Sequence, residues 1–287
     1  MSTQITTAFV EQYSANVLQL SQQRGSRLRA AVRVEPVTGK NAFIDRIGAV
    51  AARRRTARHA DTPQLDTPHS RRRVSLVDYD WADMIDDLDK VRLLADPASP
   101  YAMAGAWAMG RAMDDEVIAA FTGAASAGVD GSASVALPAE QLIAHAGAGL
   151  TIDKLLAAKE TLDSADVDDG TPRFVAVTAK QVTNLLSSTE VKSADYNTVK
   201  ALVRGEVDTF LGFKFIRTER LTKDGNGNRQ AIAWVQDGVA LAVGKEPVAR
   251  IAERADKNYA TQVYYSMAIG AARLEEAKVV AIACVEA

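Results

Sequence analysis

Between Arg24 and Arg73 the chain carries thirteen basic side chains (Arg24, Arg27, Arg29, Arg33, Lys40, Arg46, Arg53, Arg54, Arg55, Arg58, Arg71, Arg72 and Arg73) against four acidic ones. Inside this block, Thr56 to Ser70 holds two prolines and a single large apolar residue, Leu65. A segment so charged cannot close a core of its own and must lean on something else. The whole 287-residue chain has a formal charge of only −2, so a local excess of +9 leaves −11 for the rest. Part of that deficit follows at once, in Asp78, Asp80, Asp83, Asp86, Asp87 and Asp89. A basic block beside an acidic block suggests complementary surfaces, meeting within one chain or between chains.

The remainder reads as an ordinary globular chain, 47% hydrophobic and 24% charged. Residues 1–40 show little apolar periodicity and read as an extended arm. Two strands are expected next, one from Phe43 to Val50 and one from Arg73 to Tyr79, with the Thr56–Ser70 loop between them as a long hairpin. Asp96-Pro97 is a helix start, with Asp as N-cap and Pro in the first turn. Apolar residues at three- and four-residue spacing from Met103 to Phe121 then predict a helix running to Gly123. Gly123 to Ser134 is rich in Gly, Ala and Ser and reads as a loop. Thr151 caps an amphipathic helix, Phe174–Val177 is a buried strand, and Thr178 with Gln181 forms a capping box. Leu211–Ile216 is a strand and Lys223–Asn228 a turn. Ile232–Val235 and Val239–Val243 flank Asp237-Gly238 and are expected to pair as a hairpin. Tyr259–Met267 and a closing strand, Val279–Val285, complete an α+β chain without a βαβ rhythm.

Chemistry is scarce. His59, His69 and His145 lack second ligands at metal spacing, and the single Cys284 makes neither a zinc site nor a disulfide. Thr38-Gly39-Lys40 and Gly244-Lys245 lack the rest of a phosphate-binding loop. No nucleophile elbow is present. No signal-peptide pattern opens the chain and no run approaches about 18 apolar residues, so a soluble, non-exported protein is expected. No enzyme, cofactor or metal is expected. Arg53–Arg55 and Arg71–Arg73 could grip phosphates, but the region lacks aromatics for base stacking apart from Phe43. Pairing with carboxylates of a neighbouring chain suits the planar guanidinium better.

The order of parts, together with several short segments, resembles the Johnson fold of tailed-bacteriophage major capsid proteins. Val37-Thr-Gly-Lys40 leading to Asp45-Arg-Ile-Gly48, and Val74-Ser-Leu-Val-Asp-Tyr-Asp-Trp81 leading to an acidic helix, resemble the extended loop of short podovirus-like members. Arg173–Val177 with Gln181 and Leu185-Leu186, and Phe210–Ile216, are similar to their axial domain. Asp256–Tyr259, Gly270–Arg273 and Val279–Glu286 resemble their closing segment. The resemblance implies an N-terminal arm at 1–40 and an extended β-hairpin loop at 41–80. It implies a peripheral domain at 81–135 with a spine helix at 96–122, an axial domain at 136–247, and return strands of the peripheral domain at 248–287. It further implies self-assembly in the host cytoplasm into hexamers, pentamers and an icosahedral virion head around double-stranded DNA held by non-specific contact. A separate scaffolding protein, a portal protein and a decoration protein are implied partners; a membrane is not. Arg53, Arg54, Arg55, Arg58, Arg71, Arg72 and Arg73 are the expected donors at subunit contacts, with Asp83, Asp86 and Asp87 as acceptors. Crosslinking of the loop tip is not expected, because the tip has no lysine. The alternatives are an encapsulin-like shell around protein cargo and a DNA-binding protein with a basic arm.

Overall fold

A computed structural model describes residues 21–58, 61–62, 64–85, 98–168, 170–187 and 209–286. Most of the expected arm, the Asp96-Pro97 helix start, His59, Asp86 and Asp87 lie outside the described residues. The strands are β1 (Arg33–Pro36), β2 (Asn41–Ile47), β3 (His69–Ser75), β4 (Val77–Ile85), β5 (Ala125–Ala127), β6 (Ala133–Val135) and β7 (Leu142–Ile143), then β8 (Arg173–Val177), β9 (Thr209–Phe210), β10 (Phe213–Arg217), β11 (Arg229–Val235), β12 (Val239–Arg254), β13 (Ala260–Arg273) and β14 (Val279–Cys284). The helices are α1 (Ala98–Thr122), α2 (Ile152–Ser164) and α3 (Ala179–Ser187). They divide between two compact units. The larger takes Arg27–Leu76, Asp114–Gly244 and Gly270–Ala287; the smaller takes Val77–Met113, Lys245–Ile269 and the described residues up to Ser26.

The larger unit is built on a six-stranded mixed sheet in the order β7-β14-β11-β8-β10-β9. Its central strands β8, β11 and β14 read as almost continuous apolar runs because both faces are covered. Against one face pack α2 and α3, through Leu155, Leu162 and Leu185 onto Val175, Val177, Phe213 and Ile282. Both helices start where the residue chemistry requires. Thr151 Oγ1 accepts the Lys154 N–H, and Thr178 and Gln181 exchange bonds with each other's backbone N–H. Elsewhere Trp234 of β11 is fully buried, 4.6 Å from the Phe121 ring and 5.7 Å from Phe174, and its indole N–H donates to the Ala31 carbonyl. Buried Asp114 on α1 accepts the backbone N–H groups of Arg27 and Leu28, and so holds the chain just ahead of β1.

Two expectations change. Asp237-Gly238 does not close a hairpin: β11 joins the six-stranded sheet, whereas β12 pairs in parallel with β1. A short 3-10 turn over Gln236–Gly238 passes the chain between them, and its Gly238 carbonyl accepts the Leu274 N–H. The closing strand β14 lies between β7 and β11. The Gly/Ala/Ser-rich stretch after α1 is not all loop, since β5 and β6 form a small hairpin that pairs with β3. Small residues weaken the propensity signal, and here register with an existing edge decides the conformation.

In the smaller unit β12, β13 and β4 are neighbours in that order, with Thr261–Ile269 antiparallel to Ile85–Val77. Helix α1 lies against the face that carries Trp81 and Tyr265, whose rings tilt at 57°. A Cβ at Gly105 would come within 2.7 Å of both rings, so the helix can approach this closely only through glycine.

One polar device ties the larger unit's last strand to the loop before α2. Lys154 is buried, and its ammonium donates to the carbonyls of His145, Ala148 and Gly149, each at 2.8 Å, and of Ala283 at 3.0 Å. Three protons serve four acceptors, so one bond is shared. Lys154→Met keeps the stem and removes the donor from four part-buried carbonyls, of which Ala148 still accepts the Val285 N–H. The expected loss is roughly 2–4 kcal/mol in urea unfolding of the free subunit. An unchanged midpoint contradicts the assignment.

Candidate assembly interface

The basic block folds as a two-stranded ribbon. β2 and β3 pair antiparallel from Asn41↔Ser75 to Ile47↔His69, and the Gly48 N–H to Pro68 carbonyl bond makes a last rung. At the base the Leu76 N–H bonds the Lys40 carbonyl. Val74 is buried there with Ala242 and Ala272, and Val37, Ile44 and Leu76 pack around them. Gly270 is required at this crossing, because a Cβ would sit 2.1 Å from the Ser75 carbonyl oxygen. The expected strand Arg73–Tyr79 is therefore two strands in two sheets, separated at Leu76.

The period-two alternation of β3 separates its three arginines. Arg72 is only 2% exposed and reaches inward, where Nη2 pairs with Glu276 and Nε contacts the Leu274 carbonyl at 3.4 Å. Arg46, opposite Ser70 on the same ribbon, donates to that same carbonyl. Arg273 is fully buried. It donates to the Phe121 and Gly123 carbonyls at 2.8 Å and to Val135 at 2.9 Å, and its Nε lies 3.7 Å from Glu276. One carboxylate thus serves Arg72 and Arg273, with Arg46 beside them. Burial, then the charge of Arg72, pulls the Arg46 guanidinium below its ordinary pKa, while Glu276 opposes the fall. Burial does the same to Arg273, with Glu276 again opposing and Arg72 reinforcing.

Arg71 and Arg73 have other settings. Arg71 lies exposed across from Asp45, 2.6 Å away, and over the Phe43 ring at 5.2 Å. Their hydrogen bond and mutual charge raise the Arg71 pKa and lower that of Asp45. Arg73 donates to the Asp130 carbonyl at 3.3 Å and packs on Gly131, at a left-handed φ of +67°. Arg53, Arg54, Arg55 and Arg58 are exposed coil. So are the large apolar side chains around them: Ile47, Val50 and Leu65 are 69%, 62% and 53% exposed. The outer half of the ribbon thus leaves both guanidinium groups and apolar surface without cover from the described residues.

Of the expected donors, Arg72 is buried within its own chain. The acceptors also move. Asp78, Asp80 and Asp83 lie on strand β4 rather than on an acidic helix. Alternation exposes Asp78 and Asp80, whereas Asp83 shares the inward face with Trp81 and Ile85 and accepts the Met84 N–H. Arg46, Arg273 and Glu276 were missed as a group. The available signal was Arg46 in phase with Ala42 and Ile44, on the face that the ribbon turns inward.

A sequence model of one family, described as phage capsid protein, matches residues 5–286. The chain belongs to the phage capsid protein family. No curated protein sequence matches this capsid protein. Solved structures share its fold at low identity. A capsid structure of cyanophage P-SCSP1u superimposes with a TM-score of 0.75 at 16% identity, covering 100% of this chain and 96% of that one. The capsid of Ralstonia phage GP4 gives 0.73 at 11% identity, covering 97% and 96%. A Mycobacterium phage Che8 structure gives 0.66 at 16%, covering 96% and 97%. The fold is therefore the α+β phage capsid fold, and the protein is a structural component of a phage virion. Among the described residues no cluster of His, Cys, Asp and Glu could hold a metal ion, and no helix is long and apolar enough to cross a membrane.

The buried cluster makes a sharp mutational contrast. Glu276→Gln keeps the side-chain shape but leaves Arg72 and Arg273 without a counter-ion, so urea unfolding should show a loss of about 3–5 kcal/mol. Arg71→Ala removes only an exposed pair and should leave the midpoint unchanged within error. Equal midpoints for the two variants contradict the contrast.

Proposed function

We propose that this capsid protein assembles into hexamers and pentamers, which close into an icosahedral head around double-stranded DNA. The reading rests on one observation: the outer half of the β2–β3 ribbon exposes Ile47, Val50 and Leu65 among arginines, with no cover from the described residues. Such a surface is stable in water only if a neighbour covers it. Ring closure needs head-to-tail contacts between unlike surfaces, and segregated basic and acidic patches favour one register.

In this reading residues 1–40 are the N-terminal arm, 41–80 the extended loop and 96–122 the spine helix of a peripheral domain at 81–135. Residues 136–247 form the axial domain and 248–287 return to the periphery. Arg53, Arg54, Arg55, Arg58, Arg71 and Arg73 are the donors, and Asp78 and Asp80 replace Asp83 as acceptors, with Asp86 and Asp87 kept. A separate scaffolding protein guides assembly in the host cytoplasm, a portal protein joins the shell, and DNA is held by non-specific contact. The protein has no enzymatic activity.

Negative-stain microscopy of the chain coexpressed with its scaffolding protein should show shells or capsomer rings. A small species that binds DNA strongly at low salt contradicts the reading. Changing Arg53, Arg54, Arg55 and Arg58 together to Glu should abolish closed shells while the subunit still folds. Unaltered assembly with unaltered salt dependence removes these four residues from the interface.

A further inference from the structure

We propose that a cavity beside the buried ion cluster, between the end of α1 and strands β3, β5 and β13, binds a phosphate ion that keeps a proton. The cavity has a volume of about 250 Å³ and lies within the larger unit alone. Arg73, Ser75, Glu116, Ser126 and Arg273 supply its polar lining, and the rest of the wall is glycine and alanine. Strand register builds part of it. Ser126 stands opposite Arg73 across the β3–β5 pairing and Ser75 lies two residues along β3, so the three side chains share one face. On α1, Glu116 lies one turn before Ala119 and Ala120, whose short side chains leave the space open.

Charge and hydrogen bonding both require an anion here. Arg72 and Arg273 are 2% and 0% exposed and share the single carboxylate of Glu276. With Arg73 and Glu116 at the cavity, three guanidinium groups stand against two carboxylates, and one positive charge is left over. Buried charge without a counter-ion is costly. The Nε–H groups of Arg73 and Arg273 are also shut off from solvent and find no acceptor among the described residues. Buried donors in folded proteins are met by protein, water or an ion. Water would serve the donors but not the charge. Guanidinium and hydroxyl groups together suit the several oxygens of a tetrahedral oxyanion.

Glu116 decides which oxyanion fits. A carboxylate on the wall repels an anion unless the anion brings a proton to share. Phosphate does so near neutral pH: its P–OH donates to a Glu116 oxygen, while its other oxygens accept from Arg73, Arg273 and the two serines. Sulfate has no proton to offer at that pH, and neither has the phosphodiester backbone of duplex DNA. Arg73 carries five N–H groups, so the site leaves some for the neighbour contact proposed above. All of its residues come from one chain, and its occupancy is independent of how copies assemble.

Isothermal titration calorimetry of the full-length free subunit with sodium phosphate, and with sodium sulfate at matched ionic strength, tests the site. Phosphate should bind saturably and at least about tenfold more tightly than sulfate. Arg73→Gln should weaken phosphate binding at least about tenfold, as expected for the loss of a charge-assisted hydrogen bond. Glu116→Gln places an amide that can also donate, and should bring sulfate to within about threefold of phosphate. Thermal melting checks that each variant folds, and the wild-type preference for phosphate needs no variant at all. No saturable binding up to about 10 mM phosphate overturns the site. Equal wild-type affinity for the two ions, or phosphate binding untouched by Arg73→Gln, overturns it as well. Displacement of bound phosphate by a short DNA duplex assigns the cavity to the phosphodiester backbone and overturns the choice of a protonated ion.

Discussion

The Glu276 carboxylate, between the buried guanidinium groups of Arg72 and Arg273, is the interaction on which the larger unit depends. Arg273 takes the carbonyls left free at the end of α1 and the last carbonyl of β6, while Arg72 brings in the ribbon. A helix end, a small hairpin and the base of the basic ribbon thus meet at one anion. Buried charges at a single counter-ion contribute little net stability over an apolar core, but they are unforgiving of rearrangement. Arginine suits the place because one planar group reaches several carbonyls in different directions.

That constraint explains how a segment without a core can still be directed. Only the base of the ribbon is buried, at Val74 with Ala242 and Ala272, and the ion cluster fixes the face on which it leaves. Beyond Gly48 the ribbon has no further described backbone rungs and exposes large apolar side chains. In the proposed assembly this combination gives a fixed root that sets direction, and an outer part whose favourable contacts come from the next copy. The alternation of β3 then sorts three consecutive arginines into different tasks. Arg72 anchors the root, Arg73 holds the β5–β6 turn, and Arg71 stays at the surface.

Much of this was legible in the sequence. Helix α1, the Thr151 cap, the Thr178–Gln181 box and the apolar runs of β8, β11 and β14 follow from local chemistry, and the structure keeps them. The order of segments was enough to suggest the family. What escaped was non-local. Asp237-Gly238 looks like a hairpin turn, but β11 pairs with β8 and β14 and not with β12. The β5–β6 hairpin is written in alanine and serine, which carry almost no strand preference, and it exists because the β3 edge is there to pair with. A run of aspartates reads equally as a helix face or a strand. Only the pairing of β4 with β13 shows that Asp78 and Asp80 face outward and Asp83 does not. Glu276 carries little local mark of its role: Arg273 lies three residues before it, but Arg72 lies 204 residues away in sequence.

Hydrogen–deuterium exchange of the β2–β3 ribbon, compared between free subunit and assembled shell, addresses the central claim most directly: the ribbon is anchored by its own chain at the root and completed by a neighbour beyond it. The amides of Arg72–Val74 and Ile44 should be protected in both states. Those of residues 49–58 and 64–67 should exchange freely in the subunit and slow markedly in the shell. Equal protection of the outer residues in both states contradicts the account.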